Sequence, residues 1–188
     1  RAAFEGQEVI VEDGSSMTGT VSCSLHSVLS TVLGGRYRKF MENRQALHYY
    51  PVAVARDSRF GDGSIRVDVR IRGGCVDLAA GLAFGLANVG NGFVLAADAV
   101  AGELQLLEFV NNTRSFQKRV PVEIPVDGWL TLEVTVSGCD VTGLLDGRPC
   151  LQFTAPRPVE GYVGLWSKGD TTVYFRGLEL KKGAVTES

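Results

Sequence analysis

Three carboxylate side chains stand where they could carry acid–base chemistry. Asp68 and Glu133 each fall on the polar side of a strongly alternating segment, and Asp98 follows a run of small residues. The common route of glycoside hydrolysis needs two carboxyl groups about 5–9 Å apart. We expect Asp68 and Glu133 to meet if their segments share a sheet, with Asp98 as a third catalytic candidate. The alternative interpretation is that Asp68 and Glu133 are solubilising surface charges and that Asp98 caps a turn.

A second group of residues is typical of a ligand site, where aromatic surface combines with a few well-placed polar groups. Tyr162 and Trp166 share one face of a predicted strand with Gly164. Three arginines follow the polar face of another strand. The expected binding residues, which together suit the ring faces and hydroxyl groups of a sugar, are Arg70, Tyr162, Trp166, Arg66 and Arg72.

Small and large apolar residues alternate between residues 81 and 87. We expect Leu82, Phe84 and Leu86 to face the core, which leaves the glycines and alanines between them as the flat floor of a groove. The alternative is that Gly81 and its small neighbours let another segment pack closely against the strand.

The cysteines and histidines favour neither a metal site nor a nucleophile. Cysteines occur at four positions without any Cys-x-x-Cys spacing, and His26 and His48 are the only histidines. A structural zinc site normally has paired ligands at short spacing, so no metal is expected. The four cysteines permit two disulfides in three pairings, or four free thiols. They are Cys23, Cys75, Cys139 and Cys150.

One cysteine pair flanks a predicted hairpin, whose turn centres on Asp146 and Gly147. In that register Cys150 lies opposite Gly143 instead of Cys139, so a direct bridge across the hairpin is not favoured.

The elements that position these side chains are almost all β-strands from residue 60 onward. Residues 65–72 and 130–137 alternate apolar and polar side chains, the period of a strand with one buried face. Turn signals such as Asp-Gly separate the shorter runs. These further strands are predicted at 81–87, 92–97, 103–110, 114–122, 141–145, 150–154, 162–167 and 172–180, and residues 8–11 are a possible strand. About ten strands at this spacing indicate an antiparallel sandwich or barrel.

Composition excludes several classes of protein. The 188 residues carry 19 Lys plus Arg against 21 Asp plus Glu, a net charge of −2, and 45% of them are hydrophobic. Disorder requires low hydrophobicity with high net charge. A near-neutral chain gives no electrostatic reason to expect nucleic acid as a partner, and no apolar run reaches the roughly 18 residues of a transmembrane helix. We expect one domain spanning residues 1–188.

Three ordered stretches resemble a known family. They are Gly-Trp-Leu-Thr-Leu-Glu-Val at 128–134, Val-Thr-Gly-Leu-Leu-Asp-Gly-Arg at 141–148, and Gly-Tyr-Val-Gly-Leu-Trp at 161–166 with Val-Tyr-Phe-Arg-Gly-Leu at 173–178. Together they are similar to the concanavalin A-like lectin and glucanase jelly roll, and within it to the 3-keto-disaccharide hydrolase domain. More loosely they resemble laminin-G-like domains. The resemblance covers residues 60–180 and implies an all-β, antiparallel two-sheet jelly-roll sandwich.

The sequence also departs from these relatives. Laminarinase-like members carry paired carboxylates as Glu-x-Asp-x-x-Glu, which occurs nowhere in this chain. Many concanavalin A-like domains hold calcium through an Asp just after the last-strand Phe, where this chain has Arg176. A cation cannot bind a cation, so no cofactor is expected and structural calcium is unsupported.

The resemblance implies a carbohydrate-binding, lectin-like domain that uses its concave sheet, with a carbohydrate as partner. Two alternatives stay open: a glycosidase-like hydrolase of the 3-keto-disaccharide type, and a protein-interaction module without catalysis. Relatives of this fold that face carbohydrate are mostly extracellular or periplasmic, which is the expected location, although a cytoplasmic one stays open. The sequence leaves the ligand and the oligomeric state undetermined.

Overall fold

Two six-stranded β-sheets face each other in the computed structural model, which describes residues 9–11, 50–55, 57–74 and 77–183. Sheet A contains β1 (Val9–Val11), β3 (Gly63–Gly73), β8 (Trp129–Ser137), β9 (Asp140–Leu145), β10 (Arg148–Thr154) and β12 (Thr172–Lys182). Sheet B contains β2 (Val52–Val54), β4 (Ala79–Asn88), β5 (Asn91–Asp98), β6 (Glu103–Val110), β7 (Thr113–Pro121) and β11 (Tyr162–Ser167). The strand orders are β1-β12-β3-β8-β9-β10 and β2-β11-β4-β5-β6-β7.

All neighbouring strands in both sheets are antiparallel, as in a jelly-roll sandwich. The ten strands β3 to β12 are the ten that the sequence predicts, and β1 coincides with the possible strand at 8–11. The described residues include no helix, and therefore none that is long and apolar enough to cross a membrane. The predicted all-β antiparallel sandwich is confirmed.

Alternation explains why these segments pair as they do. In β3 the residues Ile65, Val67 and Ile71 are fully buried between the sheets, while the arginines and Asp68 between them face outward. Because successive side chains of a strand point to opposite faces, one face of β3 belongs to the core and the other to the surface. Sheet A follows this rule along its central strands β3 and β8.

The hairpin turns use residues that tolerate a left-handed backbone. Asp146 and Gly147 join β9 to β10 with φ of 50° and 75°, and Asn111 and Asn112 join β6 to β7 with φ of 50° and 61°. Positive φ at both central residues matches the twist of the flanking strands. The Asp-Gly signal in the sequence therefore predicted this turn for a physical reason.

The predicted register of the β9–β10 hairpin was wrong by one residue beyond the turn. Leu151, and not Cys150, lies opposite Gly143, because a bulge between Pro149 and Leu151 adds a residue to β10. Cys139 and Cys150 are free thiols, as the absence of a favoured bridge suggested. Cys23 and Cys75, together with both histidines, lie outside the described residues.

The alternation predicted for β4 is confirmed for Leu82 and Phe84, which join the core, and is wrong for Leu86. Gly85 has φ +59° and the pairing is irregular between Phe84 and Asn88, so the strand changes face. Leu86 consequently lies in a second apolar cluster on the outer face of sheet B.

Close packing in that second cluster depends on the absence of a side chain at Gly81. A Cβ on Gly81 would lie 2.7 Å from Val94 Cγ1, 2.8 Å from the Leu95 carbonyl oxygen and 3.1 Å from Trp166 Cε3. The Trp166 ring thus lies directly over the glycine backbone and is 1% exposed. Here close packing, the alternative foreseen for the small residues, is what the glycine provides.

Gly81→Ala should lower the free energy of unfolding by about 1–3 kcal/mol, the usual cost of forcing atoms into a packed site. The backbone oxygen of Leu95 cannot rotate away, so the strand itself must move. The matched control is Gly73→Ala in β3, where a Cβ meets nothing within 4 Å. Urea unfolding of both variants measures the difference, and equal stabilities would contradict the packing argument.

Candidate functional site

The structure divides the predicted site residues between two opposite surfaces. Asp68, Glu133 and the arginines of β3 lie on the outer face of sheet A, while Asp98, Tyr162 and Trp166 belong to sheet B. The sandwich core separates the two outer faces. The arginines and the two aromatic residues therefore do not line one groove.

Asp68 and Glu133 do share a face, as expected. Asp68 pairs with Thr131 across β3 and β8, and Glu133 pairs with Arg66, so the two carboxylates are diagonal neighbours. Asp68 is already engaged: Thr131 Oγ1 donates to its Oδ1 at 2.8 Å, and Arg176 Nε lies 3.4 Å from its Oδ2. These contacts are those of a paired surface charge.

The arginines of sheet A are also engaged by neighbouring side chains. Arg70 Nη2 and Arg72 Nε each lie 3.0 Å from Asp127 Oδ1. The guanidinium of Arg176 lies 3.9 Å from the centroid of the Trp129 ring and covers it. An aromatic face that carries a cation is not free to stack on a ligand. The outer face of sheet A thus offers no open aromatic platform among these residues.

Asp98 lies on the other sheet and has two structural roles. It is 6% exposed, and its Oδ1 accepts the backbone N–H of Ala101 at 2.9 Å, which caps the β5–β6 turn. Its Oδ2 lies 3.9 Å from Lys168 Nζ. The turn-capping alternative foreseen for Asp98 is what the structure contains.

The same end of sheet B carries a paired surface carboxylate. Arg119 Nε donates to Glu103 Oε2 at 2.8 Å, and Gln105 Nε2 donates to the same oxygen at 3.0 Å. Desolvation would raise the pKa of Glu103, but the hydrogen bonds from Arg119 and Gln105 outweigh it and hold the pKa below its usual value. Glu103 therefore stays charged at neutral pH and belongs to an ion pair.

Trp166 is a buried wall of an apolar pocket instead of an exposed platform. Tyr50 stacks on it with a centroid distance of 5.8 Å and an interplanar angle of 15°. Both rings line a cavity of about 200 Å³ that is otherwise mostly apolar and includes Asn112. The indole Nε1 has no hydrogen-bond partner among the described residues. Tyr50 lies just before β2, and its position over Trp166 depends on how that segment packs against sheet B.

Tyr162 lies in a larger and more polar groove, which we call the end groove. It is formed by residues 85–87 and 91–93 of the β4–β5 hairpin, residues 108–109 of β6, segment 157–162 and Arg59. Its volume is about 450 Å³. The Tyr162 side chain is 42% exposed, so its ring is accessible to a ligand. Of the predicted catalytic and binding residues, Tyr162 alone lies in this groove, where it is joined by Gly85 and Ala87 of the predicted small-residue floor.

Two glycines explain how the chain builds the end groove. Gly85, in the left-handed region, would place a Cβ 2.9 Å from Val159 Cγ1, so its lack of a side chain admits the loop before β11. A Cβ on Gly161 would lie 2.6 Å from the backbone of Gly85 and Leu86. The loop thus approaches the sheet closely, and the antiparallel bridge between Phe60 and Gly161 brings Arg59 beside it.

The end groove is rich in groups that bind hydroxyls. Arg59 and Arg157 are exposed, and neither forms an ion pair with any described residue. Glu108 accepts a hydrogen bond from Gln117 Nε2 at 2.8 Å. Glu160 is an exposed residue of the same groove lining. A planar guanidinium presents several donors in a fixed geometry. Sequence reasoning missed these four residues, because Arg59, Arg157 and Glu160 lie on irregular segments and Glu108 lies in β6, a strand whose other residues are mostly buried.

The described residues can also be compared with the requirements of a metal site. No group of three or more His, Cys, Asp or Glu suited to a metal ion occurs within the described residues. Arg176 occupies the last-strand position where relatives carry a calcium-binding Asp, and its guanidinium pairs with Asp68. The expectation of no cofactor stays a prediction.

Solved structures with the same sandwich come from several kinds of protein. One is the carbohydrate binding module CBM66 from Bacillus subtilis, 20% identical, covering 71% of this chain and 83% of that one, with a TM-score of 0.66. Another is galectin LEC-6 from Caenorhabditis elegans, at 13% identity, 70% and 94% coverage and a TM-score of 0.53. A third is a β-glucanase from Bacillus licheniformis, at 10% identity, 70% and 71% coverage and a TM-score of 0.51.

No protein-family profile matches the chain, and no curated protein sequence does. The similarity to the 3-keto-disaccharide hydrolase domain therefore stays a prediction. At these identities the solved structures establish a shared fold. The chain is a concanavalin A-like jelly-roll sandwich, as its three sequence stretches indicated.

Proposed function

We propose that this chain is a carbohydrate-binding β-sandwich domain and that its ligand lies in the end groove. The observation that carries the proposal is an exposed Tyr162 ring in the same groove as two guanidinium groups, Arg59 and Arg157, that pair with no described residue. An aromatic ring next to unsatisfied planar donors is what a sugar ring with its hydroxyl groups requires.

The chemistry of the lining supports a saccharide over a purely apolar ligand. The Tyr162 ring supplies apolar surface with few rotatable bonds, so little entropy is lost on binding. The guanidinium groups donate to hydroxyl oxygens, and the carboxylates of Glu108 and Glu160 accept hydroxyl protons. A carbohydrate binding module and a galectin share the fold, which adds support from the class of protein.

Tyr162→Ala should weaken binding of the best saccharide from a glycan array by at least about tenfold, or ~1.4 kcal/mol, because the aromatic surface proposed to pack on the sugar ring is lost. Isothermal titration calorimetry measures the change. The matched control is Tyr174→Ala, which removes the same side chain from β12 of sheet A. A parallel pair compares Arg157→Ala with Arg148→Ala, an exposed arginine of β10 outside the groove.

Equal affinities for Tyr162→Ala and Tyr174→Ala would remove the end groove as the site. Absence of any saccharide signal for the wild type would leave the third hypothesis, a protein-interaction module without catalysis. An extracellular or periplasmic location suits a domain that meets carbohydrate, and this location is part of the proposal.

Glycoside hydrolysis is a second candidate, favoured by one observation. Two carboxylates, Glu108 and Glu160, line the groove that holds Tyr162, and paired carboxylates are the usual machinery of glycosidases. The sequence-predicted catalytic residues Asp68, Glu133 and Asp98 lie outside this groove.

Rates on a panel of glycosides and 3-keto-glycosides test this candidate. If the domain hydrolyses them, Glu108→Gln and Glu160→Gln should each lower kcat by about 10²–10⁴-fold, the size of a lost acid–base catalyst. Glu133→Gln, on the far side of the sandwich, is the control and should leave the rate unchanged. A wild type without turnover excludes hydrolysis of these substrates and leaves binding as the function.

A further inference from the structure

A buried lysine meets two buried carboxyl groups at the end of β11 that lies away from the end groove. Lys168 Nζ lies 2.8 Å from Asp77 Oδ1 and 3.9 Å from Asp98 Oδ2. Lys168 is 5% exposed, Asp77 2% and Asp98 6%. Charged residues are rarely buried so completely. None of the three lines the end groove, so the proposed function does not use them.

The three side chains come from neighbouring strands. Lys168 directly follows β11, Asp77 lies two residues before β4, and Asp98 is the last residue of β5. Since β11, β4 and β5 are adjacent in sheet B, their ends converge at one edge. The cluster therefore joins segments that are far apart in the sequence.

Hydrogen bonds fix the positions of the two carboxyl-bearing segments. Asp170 Oδ1 accepts the backbone N–H of Asp77 at 3.1 Å, and Ala101 N–H binds Asp98 Oδ1 at 2.9 Å. The second bond leaves Asp98 Oδ2 as the oxygen nearer to Lys168. A Cβ on Gly169 would lie 2.7 Å from Asp77 Oδ2, so the glycine allows the turn to approach this carboxylate.

We propose that Lys168 and Asp77 form an intrachain isopeptide bond, with Asp98 as the acid–base group that moves the proton. A primary amine and a carboxyl group, both shielded from water, are the two reactants of an amide. Among the described residues the Lys168 ammonium lies near the carboxyl groups of both Asp77 and Asp98, so a second carboxyl group is present to carry the proton. Exclusion of water favours the condensed product over hydrolysis.

The step balances without any other reactant. Asp98 takes a proton from the Lys168 ammonium and passes it to one Asp77 carboxylate oxygen, which becomes a hydroxyl group, and the free Nζ electron pair attacks Asp77 Cγ to form the N–C bond. Asp98 then takes a second proton from Nζ and gives it to that hydroxyl group, the C–O bond breaks, and one water molecule leaves. Nothing is oxidised or reduced, and Asp98 ends in the protonation state in which it began.

The observed distances suit this attack. Because Oδ1 is bonded to Cγ, a 2.8 Å contact with Oδ1 places Lys168 Nζ no more than about 4 Å from Asp77 Cγ. Near-attack geometries have reacting atoms about 3–3.5 Å apart, so a movement of less than about 1 Å is needed. The bond would close the chain between residues 77 and 168 and restrict the unfolded ensemble as a disulfide does, without depending on redox conditions.

Intact mass spectrometry of the full chain in denaturant tests the bond directly. The wild type should be lighter than its sequence by the mass of one water molecule. A tryptic digest should contain a branched peptide that joins Lys168 to Asp77, uncleaved after Lys168. Lys168→Arg should restore the full mass, and Lys118→Arg, at an exposed lysine of β7, is the matched control that should keep the loss.

Two further measurements keep the outcome unambiguous. Asp98→Asn, which keeps both reactants, should fold by circular dichroism and show the full mass or a much slower loss of water. A succinimide at an Asp-Gly pair, such as Asp127-Gly128 or Asp146-Gly147, loses the same mass but is cleaved by hydroxylamine, whereas an isopeptide bond is not. A wild type of full mass, or a loss that maps to an Asp-Gly pair, would overturn the proposal and leave a buried ion pair.

Discussion

Burial of the strands β4, β5 and β11 of sheet B on both of their faces is the constraint on which the rest of the structure depends. Leu82 and Leu95 face the sandwich core, and Ala83, Val94 and Trp166 on the outer face are also 0–1% exposed. A strand that is buried on both sides must use small or apolar residues throughout. This explains why β4 and β5 read as nearly continuous apolar runs, whereas β3 and β8 alternate with charges.

The same constraint decides what could be predicted from sequence. Segments with one solvent-exposed face, such as β3, show a clear alternation of apolar and polar residues. The sequence therefore predicts their first and last residues to within two positions. In β4 both faces are apolar, so periodicity cannot tell Leu82 from Leu86, and the left-handed Gly85 moves Leu86 to the other face. The bulge at Cys150 is invisible for a related reason, since the extra residue changes neither turn signal nor composition.

The candidate site was predictable only in part, for reasons of long-range topology. Tyr162 lies on a strand, so its face and exposure follow from alternation with Val163 and Leu165. Arg59 and Arg157 lie on irregular segments, and they line the same groove because of the bridge between Phe60 and Gly161, about a hundred residues apart in sequence. The arginines that alternation did reveal, those of β3, are instead satisfied by Asp127 and Asp68.

β11 connects the two ends of sheet B at which the proposed sites lie. Tyr162 begins the strand at the end groove, and Lys168 follows its other end in the buried charged cluster. Between these two ends, the Trp166 ring packs over Gly81. Gly164 allows β2 to approach β11 closely, since a Cβ on Gly164 would lie 2.8 Å from the Ala53 carbonyl oxygen. A strand held at its middle and at its far end cannot slide in register, and a one-residue slip would turn Tyr162 away from the groove. The buried side of β11 thus fixes the position of the aromatic ring before a ligand arrives, which lowers the entropy that binding must overcome.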